Sequence, residues 1–177
     1  MQDGDEMEID NTLLVERSKQ GDARAFSQLY SIYANDMFRF AVYMMGNSQD
    51  AEDAVQEAVF SAWRNIHSLK DAALFKGWMF KILSNRCKTD LMKKNKAPDV
   101  LPTEEYEFLV EGDSFSFDTA ELKEALSSLT PPDGHIILLS VIGGFTSEEI
   151  GEIYGRPSAT VRSRQKRALE RLRAILS

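Results

Sequence analysis

Residues 144–164 read GFTSEEIGEIYGRPSATVRSR, and this stretch decides the fold class of the C-terminal part of the chain. A short helix is expected to open at Thr146, because Thr146 and Glu149 have the spacing of a capping box that satisfies two orphan amide donors. Gly155 supplies the positive φ that a tight interhelical turn often needs. A second helix then starts at Pro157 or Ser158, since Pro is tolerated in a first turn. Val161, Ala168, Leu169 and Leu172 form its inward stripe, whereas Arg162, Ser163, Lys166 and Arg167 face outward near its start. Such a helix-turn-helix lays its second helix in the major groove, with the first residues against base edges. Seven Lys or Arg residues and one acid, Glu170, lie between 156 and 173. Duplex DNA is the partner that surface suits best.

The whole chain of 177 residues nevertheless carries a formal net charge of -7. Its distribution resolves the conflict. Residues 70–96 hold eight basic residues against two acids, while 97–124 hold nine acids against one base, Lys123. Phosphate contact is decided by these local patches, not by the total. Weak DNA binding by the free protein is expected, because the acidic segments oppose it within a Debye length of about 8 Å.

With 43% hydrophobic and 28% charged residues, the composition fits a soluble globular protein of one ordinary or two small domains. There is no apolar run of the roughly 18 residues a membrane span needs, so no membrane insertion is expected. The acidic start, MQDGDEME, lacks the order of a secretory signal, and the lone Cys87 cannot form an internal disulfide. Both features point to the cytoplasm. His67 and His135 stand in no ligand-like spacing, and no nucleophile–base pair, metal cluster or phosphate loop is present. Neither an enzyme nor a metal or cofactor binder is expected.

Upstream of the acidic segment the apolar residues recur with helical period. Phe26, Leu29, Tyr30, Tyr33, Met37, Phe40, Ala41 and Met44 define one face of a helix over 22–45, ended by Gly46-Asn47-Ser48. Ser48 or Asp50 can cap the next helix, about 49–66. Its inner face carries Ala51, Ala54, Val55, Ala58, Val59, Ala62, Trp63 and Ile66, and its outer face Glu52, Asp53, Gln56 and Glu57. After a loop at 67–73, a third helix over 74–94 buries Phe75, Trp78, Met79, Ile82 and Cys87. That helix displays a basic side of Lys81, Arg86, Lys88, Lys93 and Lys94. The prolines, Gly112 and acids of 95–118 read as a linker. A helix near 119–129 follows, and the run from Ile136 to Ile142 suits a buried helix better than a strand. The fold expected is all-α: two small helical domains joined by an acidic flexible linker, the C-terminal one a helix-turn-helix. The boundaries are 1–10 for an acidic tail, 11–95, 96–118 for the linker, and 119–177.

Two ordered sets of motifs make the chain recognisable. GRPSATVRSR at 155–164 with Arg167-Ala168 resembles the last conserved region of extracytoplasmic-function sigma factors, in the sigma-70 family. Gly21-Asp22 with Ala25-Phe26 and Leu29-Tyr30 is similar to that family's opening helix, and DAEDAVQE at 50–57 with Phe60 and Trp63 to its polymerase-binding helix. FKGWMFKI at 75–82 with Asn85 resembles its promoter-melting helix. The resemblance implies that 11–95 is region 2 and 119–177 region 4, with core RNA polymerase (its largest and second-largest subunits) and promoter DNA as partners. It implies polymerase binding through Glu52, Asp53, Gln56 and Glu57. It implies melting of the downstream element through Lys70, Lys81, Asn85, Arg86, Lys88, Lys93 and Lys94, with base capture at the 67–73 loop. The upstream element would be read through Thr160, Arg162, Ser163, Arg164, Lys166 and Arg167. The acidic linker would lie in a polymerase channel, and an anti-sigma factor becomes a candidate partner.

The chain departs from the family pattern at several positions. Thr89 stands where Asp is common, Ser84 replaces a frequent Arg, and Asp133-Gly134-His135-Ile136 replaces a more charged stretch. Gly134 should weaken the start of its helix by roughly 1 kcal/mol relative to Ala. Ala159 occupies the usual Gly, and Gly151 the usual Ala. The residues alone also allow a stand-alone helix-turn-helix regulator, which would bind a symmetric operator without polymerase.

Overall fold

A computed structural model describes residues 3–94, 120–141 and 143–176. Among the described residues the regular structure is helical, without strands. The order is α1 (Asp3–Lys19), α2 (Ala23–Met45), α3 (Ser48–Asn65), two 3-10 turns (Ile66–Ser68 and Ala72–Leu74) and α4 (Phe75–Lys93), then α5 (Ala120–Ser127), α6 (Pro131–Val141), α7 (Ser147–Tyr154) and α8 (Ser158–Leu176). The expected linker at 96–118 lies outside the described residues.

Local chemistry sets most boundaries. Asp22 caps α2 by accepting from the amides of Arg24 and Ala25 at 3.0 and 3.1 Å. The Ala25 amide, followed by the Arg17 side chain, holds this carboxyl below its usual range. Gly46 ends α2 in the left-handed region at φ 89. The cap of α3 is Asn47, not Ser48 or Asp50: its side chain accepts from the Asp50 amide at 2.8 Å while its own backbone stays extended. Ser48 is already helical, so its hydroxyl cannot serve that amide. Helix α1 begins at Asp3, so residues 3–10, read as an acidic tail, belong to a helix. Their apolar residues are too sparse for a periodic signal.

Helices α1 to α4 enclose a core built around Val15, Leu29, Met37, Phe40, Met79, Phe80 and Leu83. On α4 the buried set is Phe75, Met79, Phe80, Leu83, Ser84, Cys87 and Leu91, whereas Trp78 and Ile82 are only half-buried. The buried set is wider than the one expected because α4 is covered by α2, α3 and α7. Helix α2 departs from a one-faced pattern for the same kind of reason. All of Phe40, Ala41, Val42, Tyr43, Met44 and Met45 are buried, since α3 and α4 lie on one side and α6 on another.

The two halves share apolar packing. Ile136, Leu139, Phe145, Ile150, Ile153 and Val161 belong to one continuous cluster with the N-terminal helices, and Tyr43 of α2 belongs to the cluster of α5, α6 and α8. Gly134 has a reason in this contact: a Cβ there would collide with the Tyr43 hydroxyl. The propensity cost of glycine at this position is the condition for α6 to lie on α2.

Candidate nucleic-acid and polymerase interfaces

Three surfaces carry the residues singled out by sequence. On α3, Glu52, Asp53, Gln56 and Glu57 are all exposed, as the inward apolar stripe of this helix requires. One turn further on, Phe60 is 58% exposed, with the Arg64 guanidinium 4.8 Å above its ring. An aromatic ring beside carboxylates has the composition of a face suited to protein docking. Phe60 is not among the docking residues expected from sequence, although its position off the inner stripe marks it as exposed.

The residues of α4 divide into two groups. Lys81, Asn85 and Lys88 recur at i, i+4 and i+7 and share one stripe. Arg86 turns to the other side, donating to Asp90 at 2.9 Å and approaching Glu57 at 3.6 Å. Lys94 pairs with Asp50 of α3. The single basic side expected from sequence is therefore split, because acids of α3 and α4 draw Arg86 and Lys94 toward the α3 face. Lys93 is exposed. Lys88 is half-buried with its ammonium 4.4 Å from the Tyr154 ring centroid, and burial lowers its pKa.

In the 67–73 loop Lys70 is exposed, Leu69 is buried, and Asp71 accepts from the Ala73 amide at 2.9 Å. Beneath it lies a cavity of about 330 Å³ among α1, α2, α4 and α7. Tyr33, Phe75 and Trp78 line it with aromatic surface, and Lys76, Lys81, Glu149 and Glu152 with charge. The rings with Lys76 and Lys81 suit a base and its phosphate, whereas Glu149 and Glu152 on the α7 wall oppose a phosphate.

The helix-turn-helix forms as expected. Thr146 accepts from the Glu149 amide at 3.2 Å, and the Glu149 carboxylate accepts from the Thr146 amide at 2.7 Å. Gly155 sits at φ 62, and a Cβ on Gly151 would lie 2.6 Å from the Arg156 carbonyl oxygen. Gly151 therefore lets the turn fold back onto α7. On α8, Thr160, Arg162, Ser163, Lys166 and Arg167 are exposed. Arg162 reaches Glu148 of α7 at 2.5 Å. Arg164 is half-buried and donates to Asp133 at 3.1 Å, which ties α8 to α6. Gln165 reinforces that tie, donating to Ser140 at 2.6 Å and accepting from Ser147 at 3.3 Å.

Among the described residues no group of His, Cys, Asp or Glu side chains could hold a metal ion. No described helix is long and apolar enough to cross a membrane.

The family comparison agrees with this arrangement. Residues 29–97 match the model of sigma-70 region 2, and residues 125–174 that of sigma-70 region 4. The RNA polymerase sigma factor SigV of Bacillus subtilis is 33% identical over 145 residues, covering 82% of this chain and 87% of SigV. The ECF RNA polymerase sigma factor SigW of the same organism is 30% identical, covering 92% of this chain and 94% of SigW. Among solved structures, the sigma factor RpoE of Bartonella quintana, in complex with the anti-sigma factor NepR, superimposes with a TM-score of 0.72. The identity there is 26%, over 87% of this chain and 98% of that one. The chain belongs to the sigma-70 family, in its extracytoplasmic-function branch. It is a sigma factor: it binds core RNA polymerase and directs promoter-specific transcription initiation, and the stand-alone regulator is not favoured.

Proposed function

We propose that the two functions divide along the chain, with 11–95 docking on polymerase and opening DNA, and 119–177 reading the upstream element. The observation that carries this reading is the placement of opposite charge on separate exposed helix faces. Carboxylates Glu52, Asp53 and Glu57 with Gln56 stand on α3, and cations Arg162, Lys166 and Arg167 stand on α8. A carboxylate face repels phosphate and suits a basic protein surface, so α3 with Phe60 grips polymerase. A cationic helix after a tight turn suits the major groove, where Arg162 and Ser163 meet base edges and Lys166 and Arg167 neutralise phosphates.

Opening of the downstream element falls to α4 and the 67–73 loop. Lys81, Asn85 and Lys88 line the strand path with Lys70, and the cavity beside Trp78 and Tyr33 takes an unstacked base. Unstacking costs a few kcal/mol, and stacking on an aromatic ring returns about 1–3 kcal/mol per base. Arg86 and Lys94 act in this reading through α3, holding the docking face against the melting helix. Lys93 stays at the DNA side.

The protein works in the cytoplasm as a transcription initiation factor, not an enzyme. An anti-sigma factor is the further partner this reading adds, by analogy with RpoE of Bartonella quintana. Transcription of a genomic fragment library with purified core polymerase tests the function and delivers the promoter together. Discrete start sites that depend on this chain support it, and their absence at every salt concentration overturns it.

A further inference from the structure

The exposed cations near the start of α8 are held in different ways. Lys166 lies 4.0 Å from Glu170, and Arg167 donates to the Ser163 carbonyl oxygen at 3.3 Å, both within their own helix. Arg162 instead crosses to α7, where its Nη1 donates to Glu148 Oε1 at 2.5 Å. One turn along α8, Gln165 accepts from Ser147, the residue before Glu148, at 3.3 Å. Two adjacent residues of α7 thus grip two positions a turn apart on α8. Gln165 also donates to Ser140 at 2.6 Å, and Arg164 donates to Asp133. The backbone under Arg162 is therefore fixed by α6 and α7 together, and Glu148 adds a hold on the side chain.

Neither the cap of α7 nor the fold requires that hold. The capping box is made by Thr146 and Glu149, and an ion pair exposed on both sides contributes little to stability. A carboxylate beside a recognition helix also repels the DNA backbone and lowers affinity for any duplex. What the contact does is orient. A guanidinium carries five donors in a rigid fork. Glu148 takes Nη1 and leaves the Nε–Nη2 edge open among the described residues. An arginine that swings freely reaches a phosphate as readily as a base, and phosphate contacts carry no sequence information.

We propose that Glu148 is a positioning residue for promoter reading: it holds Arg162 by Nη1 so that the open Nε–Nη2 edge meets O6 and N7 of one guanine in the upstream element. This rests on α8 being the helix that reads that element. Glu148 itself touches no base. It lowers affinity for duplexes in general and raises discrimination at one base pair.

The test uses the full chain bound to core polymerase, on a promoter recovered from the genomic library and on copies in which each upstream G·C pair is replaced in turn by A·T. The wild-type complex should bind one of these copies about tenfold more weakly, the discrimination a bidentate arginine–guanine pair provides. In Arg162→Ala that ratio should fall to about one. Glu148→Ala should lower the ratio at the same position by about threefold or more. Glu148→Gln should lower it less, because the amide oxygen still accepts, and the double variant should fall no further than Arg162→Ala. Glu148→Ala should also bind an unrelated duplex more tightly, a gain that loss of structure would not produce. Full discrimination retained by Glu148→Ala overturns the inference. So does a loss at a position that Arg162→Ala leaves unaffected, which would make Glu148 a base reader itself. Ratios that Arg162→Ala leaves unchanged at every position overturn the reading through Arg162, and the inference with it. Promoter-specific transcripts from the wild-type complex, measured alongside, judge the sigma assignment separately.

Discussion

The ring of Phe80 on α4 meets the ring of Phe145, in the connection between α6 and α7, edge to face with centroids 4.9 Å apart. Both rings are almost fully buried, so the contact ties the stability of the two halves together. A cycle of Phe80→Leu, Phe145→Leu and the double variant, followed by urea unfolding, should give a coupling of about 1 kcal/mol. Simple additivity would mean that the halves do not hold each other in solution.

His135 makes the same seam sensitive to acid. Burial, with Lys88 adding repulsion, lowers its pKa from 6.5 to about 4. The folded protein therefore keeps the ring neutral while an unfolded chain would take up a proton. The stability is fully present above the unfolded value of about 6.5 and is lost as pH falls toward the folded value of about 4. The full loss is roughly 3 kcal/mol, and His135→Gln should flatten the slope of stability against pH in that window. An unchanged slope would place the acid sensitivity elsewhere.

On α3, Asp53→Ala with Gln56→Ala should abolish association with core polymerase. Both positions are exposed, so unfolding stability should change by no more than about 0.5 kcal/mol each. Co-migration with polymerase and a thermal melt, run on the same sample, separate docking from folding.

Two arginines of α8 should behave differently. Arg162→Ala should cost about 1–3 kcal/mol of binding at the specific promoter. Its pair with Glu148 is exposed on both sides and contributes under about 1 kcal/mol, so the fold should be indifferent. Arg164→Ala removes the link to Asp133 and should lower thermal stability while leaving sequence preference intact. Promoter titrations with both variants, beside their melts, check the contrast.

What could be read from the sequence was what short-range hydrogen bonding and periodicity specify. The Thr146–Glu149 box, the left-handed Gly155 and the exposed face from Glu52 to Glu57 depend on neighbours within a turn. The seam depends on residues far apart in sequence, and single positions there carry no periodic signal. Yet traces of it exist: residues 40–45 are apolar on every face, which one-sided packing does not need. Ser84, Gly134 and His135, each a departure from the family pattern, all lie at the seam. Ser84 is fully buried and near Tyr154, where an arginine would have no room. The division of the α4 cations was equally out of reach, because it is set by acids on a neighbouring helix.

DNA occupancy with and without core polymerase tests the central claim most directly. At one promoter fragment and physiological salt, the chain alone should leave the DNA unprotected, and adding core polymerase should produce a footprint over both elements with strand opening at the downstream one. Protection of a symmetric site by the chain alone, unchanged by polymerase, would contradict it.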